Sequence, residues 1–111
     1  MNEKILKYLY DVKLAIDEID TFFIDNEKRY EEYQKNILLK RAIERNLEII
    51  GEAIKRILAV DPNFPINNAK NIVGLRNQII HSCDSISDEN IWEILINHLP
   101  KLKAEVNRLI E

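Results

Sequence analysis

The stretch Leu38-Leu-Lys-Arg-Ala-Ile-Glu-Arg-Asn-Leu-Glu-Ile-Ile-Gly-Glu-Ala-Ile-Lys-Arg-Ile-Leu58 decides the fold. At about 100° per residue, Leu39, Ala42, Ile43, Leu47, Ile49, Ile50, Ala53, Ile54, Ile57 and Leu58 gather on one side and cover nearly half of the circumference. Arg41, Glu44, Arg45, Glu48, Glu52, Lys55 and Arg56 collect on the other. An apolar arc that wide predicts a helix in contact with more than one neighbour. The charged half reads as a solvated face carrying pairs such as Arg45–Glu48 and Glu52–Arg56, each worth only about a few tenths of a kcal/mol. The carboxylates of Glu44, Glu48 and Glu52 are also candidates to hold a functional arginine presented by another helix.

Outward from this stretch the same period continues. No proline and only Gly51 interrupt the chain from Glu27 to Val60, so one long helix is predicted there. Asp61-Pro-Asn-Phe-Pro65 ends it, because proline cannot continue the hydrogen-bond ladder and disfavours helical geometry in the residue before it. Upstream, Ile5, Leu9, Val12, Ile16, Ile19 and Phe23 form the stripe of a first helix, Glu3 to Phe23, with Asn2 as its N-cap. Asp25-Asn26 reads as a turn that caps the next helix. Downstream, a shorter helix is predicted over Asn67 to His81, then a polar connection from Ser82 to Ser87. Ser87 followed by Asp88 and Glu89 reads as an N-cap with acids in the first turn. The last stripe runs through Trp92, Leu95, Leu99, Leu102, Val106 and Leu109, and Pro100 predicts a kink or break inside it.

The expected architecture is all-α: an antiparallel bundle of four to five helices, one domain over residues 1–111. A chain of 111 residues is too short to support two stable cores. Two glycines and three prolines are too few turn residues for many short strands. The single Cys83 excludes an intramolecular disulfide framework and fits a reducing compartment. The charged N-terminus has no signal-peptide core, and no apolar run approaches the roughly 20 residues needed to cross a bilayer. A cytoplasmic protein with no membrane association is expected. A net charge of −3 gives no global attraction to nucleic acid, so any such binding must come from a local basic group.

The segment Asn67 to His81 departs from ordinary amphipathic patterning. Leu75, Ile79, Ile72, Ile80 and Val73 flank Arg76 on both sides of the wheel, which places a guanidinium in the middle of an apolar arc. An unpaired charge there is expensive, so Arg76 must snorkel, meet a carboxylate or face a second subunit. Asn77 and His81, four apart, share one face at the arc's edge. The same spacing fits a buried Arg–Glu pair beside a surface histidine at a helix C-terminus, where the dipole favours a cation. His98 reads as an ordinary surface residue. One cysteine and two distant histidines make no zinc site, and no Gly-rich phosphate loop or Gly-x-Ser-x-Gly elbow is present. No metal or cofactor is expected.

Gly74-Leu-Arg-Asn-Gln-Ile-Ile-His81 resembles the ribonuclease motif of the HEPN superfamily: Arg, a polar residue, three variable residues, then His. Arg76, Asn77 and His81 match it position by position. Arg41-Ala-Ile-Glu-Arg-Asn-Leu-Glu-Ile-Ile-Gly-Glu-Ala53 is similar to the long-helix signature of the HepT-like branch. The Pro-containing loop, Ile91-Trp-Glu-Ile94 and His98-Leu-Pro-Lys-Leu102 also resemble that branch, and the resemblance spans nearly the whole chain. It implies a metal-independent RNA endonuclease, the toxin of a toxin–antitoxin pair. The partners it implies are RNA, a second copy of the chain and a minimal nucleotidyltransferase antitoxin. Arg76 and His81 would be catalytic, with Asn77 supporting, in a composite site at a homodimer cleft. A dimer would also give Arg76 and the broad apolar faces somewhere to go. The branch usually continues His-x-Tyr, with the tyrosine adenylylated by the partner to silence the nuclease. Here the chain reads His81-Ser-Cys83, which puts control by that route in question. The competing reading is a non-catalytic dimeric module, a scaffold or substrate-recognition partner for a nucleotidyltransferase.

Overall fold

The computed structural model describes residues 2–70, 72–74, 77 and 87–111. Every described element is helical: α1 (Glu3–Phe22), α2 (Tyr30–Lys35), α3 (Ile37–Val60), α4 (Asp88–Glu93), a π-helical turn (Ile94–His98) and α5 (Leu99–Ile110). Between α3 and α4, Lys70, Ile72, Val73, Gly74 and Asn77 have helical backbone. No helix among the described residues is long and apolar enough to cross a membrane.

The first helix starts and ends where its residues dictate. The Asn2 side chain accepts from the backbone N–H groups of Lys4 and Ile5, satisfying donors that have no intrahelical partner. Ile5, Leu9, Val12, Ile16 and Ile19 are all buried, as their spacing predicts. Asn26 has a different task from the one expected. Its Nδ2 donates to the Phe22 carbonyl at 2.8 Å and its Oδ1 accepts from Asn36 Nδ2 at 3.3 Å, so it closes α1 and does not cap the helix that follows. Arg29 occupies the N-cap of α2 without capping it; its guanidinium donates to Glu32 Oε1 at 3.1 Å instead.

The helix expected from Glu27 to Val60 is two helices. Asn36 leaves helical geometry at φ −97° and ψ 96°, and its Oδ1 accepts from the Leu39 N–H at 3.0 Å. A short polar side chain that can replace the ladder locally breaks the helix without any glycine or proline. Beyond the break, Ile43, Leu47, Ile50, Ile54 and Ile57 lose all exposure, while Ala42, Ile49 and Leu58 are half-buried. The wide arc is thus covered within the chain itself, chiefly by α1. Asn46 meets Ala15 and Tyr8 bonds Arg56, so α1 and α3 run antiparallel.

The irregularity predicted at Pro100 falls one turn earlier. Pro100 brings no N–H to the ladder and its ring crowds the preceding turn. The backbone answers with the π-helical turn, in which the Leu99 N–H bonds the Ile94 carbonyl, and α5 then starts with proline in its first turn. Ser87 caps α4 as expected, its Oγ accepting from the Asn90 N–H at 3.1 Å. Ile91, Leu95, Leu99, Leu102 and Val106 join the same buried cluster as α1 and α3. Each fully buried aliphatic side chain contributes about 1.5–3 kcal/mol, so this core outweighs the exposed ion pairs.

Candidate active site

Arg76, His81 and Cys83 lie outside the described residues. Asn77 lies within them, with helical backbone and an exposed position. The structure describes how the chain is held on either side of this motif.

Upstream, Ile66, Ala69 and Ile72 are buried in the core, and the Ile72 and Val73 N–H groups both bond the Ala69 carbonyl. Two amides just before the helical backbone, those of Asn67 and Asn68, are bonded from another helix. Both carboxylate oxygens of Glu105, on α5, accept from the Asn67 N–H at 3.0 and 2.9 Å, and Oε1 also accepts from the Asn68 N–H at 3.0 Å. Glu105 is only 3% exposed. Its place three residues after Leu102, on the last apolar stripe, was a visible signal: an acid there needs donors.

Downstream, the start of α4 is fixed by three contacts. Lys40 Nζ on α3 meets Asp88 Oδ2 at 3.0 Å. Ile91 is fully buried. Trp92 sits among Tyr33, Tyr30 and Phe23 at ring-centroid distances of 5.4, 6.0 and 6.4 Å, the last two edge to face. Burial pushes the Tyr33 phenol well above its ordinary range, with the carboxylates of Asp88 and Glu44 adding to the effect.

The carboxylates on α3 are engaged by arginines of their own helix. Arg41–Glu44, Arg45–Glu48 and Arg56–Glu52 lie at 3.2, 3.6 and 3.1 Å, and the latter two pairs are those the spacing predicts. Glu48 and Glu52 line a groove of about 340 Å³ between α1 and α3, together with Lys7, Asp11, Arg45 and Arg56, where acids and bases balance. Hydrogen bonds that the Arg56 guanidinium donates to the Tyr8 hydroxyl and the Glu52 carboxylate hold its pKa above the ordinary value. Any reach of these carboxylates to Arg76 lies outside the described residues. His98 is half-buried at the end of the π-helical turn and not the plain surface residue expected.

Two further polar positions escaped the sequence reading. Asn46 is 4% exposed and its Nδ2 donates to the Ala15 carbonyl at 3.1 Å and to Glu18 Oε1 at 3.0 Å. It lies between Ile43 and Ile50, in the centre of the apolar arc, where a polar residue has to find partners on the facing helix. Tyr33 is fully buried, and among the described residues its hydroxyl has no hydrogen-bond partner.

A helical chain whose motif-bearing segment is tied to α5 upstream and to α3 downstream can be compared with known families. The profile described as Ribonuclease HepT-like matches residues 12–109, and the chain belongs to that family. Among its relatives, "Putative RNase MJ1380" of Methanocaldococcus jannaschii is 37% identical over 89% of this chain and 90% of its own length. "Putative RNase MJ0125" of the same organism is 32% identical over 94% of this chain and 89% of its own. "Probable ribonuclease HepT" of Thermococcus cleftensis is 28% identical over 92% of each chain. No solved structure gives a significant match.

Proposed function

We propose that this protein is a metal-independent endoribonuclease of HepT type, with Arg76 and His81 as catalytic residues and Asn77 in support. The observation that carries the reading is the Arg76-Asn77…His81 pattern inside a family match that covers residues 12–109. Cleaving RNA without a metal needs a base for the 2′-OH and a stabiliser for charge developing on the phosphate. An imidazole with an ordinary pKa near 6.5 takes or gives a proton around neutrality. A guanidinium is always charged and forks onto two phosphate oxygens. The 2′ oxygen forms a bond to phosphorus as its proton passes to one imidazole. The bond to the 5′ oxygen breaks, and that oxygen takes a proton from a second imidazole, leaving a 2′,3′-cyclic phosphate and a 5′-hydroxyl.

Two imidazoles imply two copies of the motif, hence a homodimer of this helical domain. The apolar arc of α3 is already covered within one chain, so it does not supply the dimer face. Among the described residues the most exposed apolar side chains, and so candidates for one, are Leu14 on α1, Ile24 just after it, and Ile37 and Leu38 at the start of α3, which are 65%, 77%, 68% and 84% exposed. The biological role we assign is that of a toxin restrained by a nucleotidyltransferase antitoxin. The acidic net charge and Cys83 in the tyrosine position favour a second reading, a non-catalytic dimeric module serving such a partner. The test is incubation of purified protein with single-stranded and structured RNA in EDTA. Cuts ending in 2′,3′-cyclic phosphate support the nuclease; intact RNA of every class supports the module.

A further inference from the structure

The bonding of the Asn67 and Asn68 amides is unusual in its source. Both residues precede the helical backbone, which begins at Lys70, so their N–H groups need acceptors from elsewhere, and a nearby Asn, Ser or Asp side chain commonly supplies one in such a turn. This chain places asparagines at 67 and 68, yet the amides of both residues bond Glu105, which is 37 to 38 residues away on α5. A carboxylate at 3% exposure is expensive unless it is well bonded, and here three short contacts to two N–H groups hold it. Charge-assisted bonds of this kind are about twice as strong as neutral ones. They fix both the axial position and the direction of the chain that leads into Ile72, Val73 and Gly74. Arg76 follows Gly74 by two residues in the sequence.

We propose that Glu105 is a positioning residue for the Arg76–His81 motif, tying the start of the motif-bearing segment to α5. The proposal rests on the ribonuclease reading above. Catalysis by a preset guanidinium and imidazole is sensitive to placement, and a displacement of about 1 Å costs on the order of a hundredfold in rate. Glu105 is proposed to act without contact to substrate or the reacting atoms, through the segment whose leading amides it holds.

The test compares Glu105→Leu, which keeps the bulk and loses the acceptors, with Glu105→Gln, whose Oε1 can still accept from both amides. Asn46→Ala serves as a destabilised control with its lesion on another helix pair. All are assayed on one RNA oligonucleotide at a temperature where circular dichroism shows each to be folded. Glu105→Leu is expected to lower kcat about tenfold or more with KM within about threefold of wild type, and Glu105→Gln to recover kcat to within about threefold. Amide exchange should speed up at residues 67–77 in Glu105→Leu while α1 and α3 stay protected. If Glu105→Leu does not fold, Glu105→Asp reads the same quantities, since it shortens the tether by one methylene. A wild-type kcat in folded Glu105→Leu or Glu105→Asp overturns the proposal, as does an equal loss in Asn46→Ala. Wild-type protein that cuts no RNA overturns the ribonuclease reading instead, and the catalytic role of Glu105 falls with it.

Discussion

Lys40 and Asp88, separated by 48 residues in sequence, meet at 3.0 Å, and their side chains keep only 24% and 26% of their exposure. The pair joins α3 to the first turn of α4, directly after the stretch that carries His81 and Cys83. Partial burial makes it stronger than the paired charges along α3, of which Arg41 and Arg45 are 75% and 67% exposed. Asp88 also lies in the first turn of its helix, where a negative charge is favoured. Replacing either residue, as Lys40→Met or Asp88→Asn, is expected to lower stability by about 0.5–1 kcal/mol. A double-mutant cycle by urea unfolding should show positive coupling that fades with added salt. Zero coupling would mean that α4 is held by Ile91 and the Trp92 cluster without help from the ion pair.

The Asn46 amide bridges α3 to α1 through Ala15 and Glu18. Asn46→Ala is expected to cost about 1–2 kcal/mol, the usual effect of losing buried hydrogen bonds. Asn46→Asp should be worse at neutral pH, because it sets a second carboxylate beside Glu18 in a buried position. That carboxyl would have a raised pKa in the folded state. Its penalty is full above that value and shrinks as pH falls through it, so the gap between the Asp and Ala variants should narrow on acidification. A gap that widens toward low pH would contradict the assigned partners.

Tyr33 has a buried hydroxyl without a partner among the described residues, and its phenol is pushed well above the ordinary range by burial. Tyr33→Phe removes a desolvated polar group and keeps the ring against Trp92, so stability should be unchanged or rise by up to about 1 kcal/mol. The sign of the pH effect follows from linkage. Above a pH of about 10 the unfolded chain loses this proton while the folded chain keeps it, so Tyr33 contributes a loss of stability as pH rises. Unfolding at alkaline pH should show a steeper decline for wild type than for Tyr33→Phe. Equal slopes would mean that the folded phenol ionises as readily as the unfolded one, which contradicts its burial.

The helices were legible because burial and the 3.6-residue period express the same geometry: Ile5, Leu9, Val12, Ile16 and Ile19 could only face inward together. The break at Asn36 was not, because the apolar period passes from Tyr33 to Leu39 without interruption and the break depends on one side chain competing with the backbone. Glu105 and Asn46 were visible as polar residues on apolar faces. Their partners were not, since a backbone amide at Asn67 or a carbonyl at Ala15 carries no mark in the sequence. The candidate site was legible as a pattern, Arg76-Asn77…His81. The ties on either side of that stretch, at Glu105 and at Lys40–Asp88, are long-range and appear only in the fold.

On the proposed toxin–antitoxin reading, Cys83 is the position where control of activity would be exerted. An adenylyl group on a phenol adds bulk and negative charge where RNA phosphate must enter. A thiol is shorter and is not the acceptor the family pattern calls for, so no stable adenylylation is expected at Cys83. Restraint would then come from occlusion by the partner, or from a hydroxyl such as Ser82 or Ser85. Incubation with a minimal nucleotidyltransferase of the proposed antitoxin type and ATP, followed by peptide mass mapping, decides this. Adenylyl mass on Cys83 would overturn the expectation, and its gain only in Cys83→Tyr would support it.

The central claim is that His81 moves the proton in RNA cleavage. The most direct measurement is cleavage of one labelled RNA in EDTA by wild type and by His81→Ala at matched concentration, with both shown to be folded. The account expects wild type to leave 2′,3′-cyclic phosphate ends and His81→Ala to fall by at least about a hundredfold, the scale of a lost general acid–base group. Equal activity of the two proteins would contradict it.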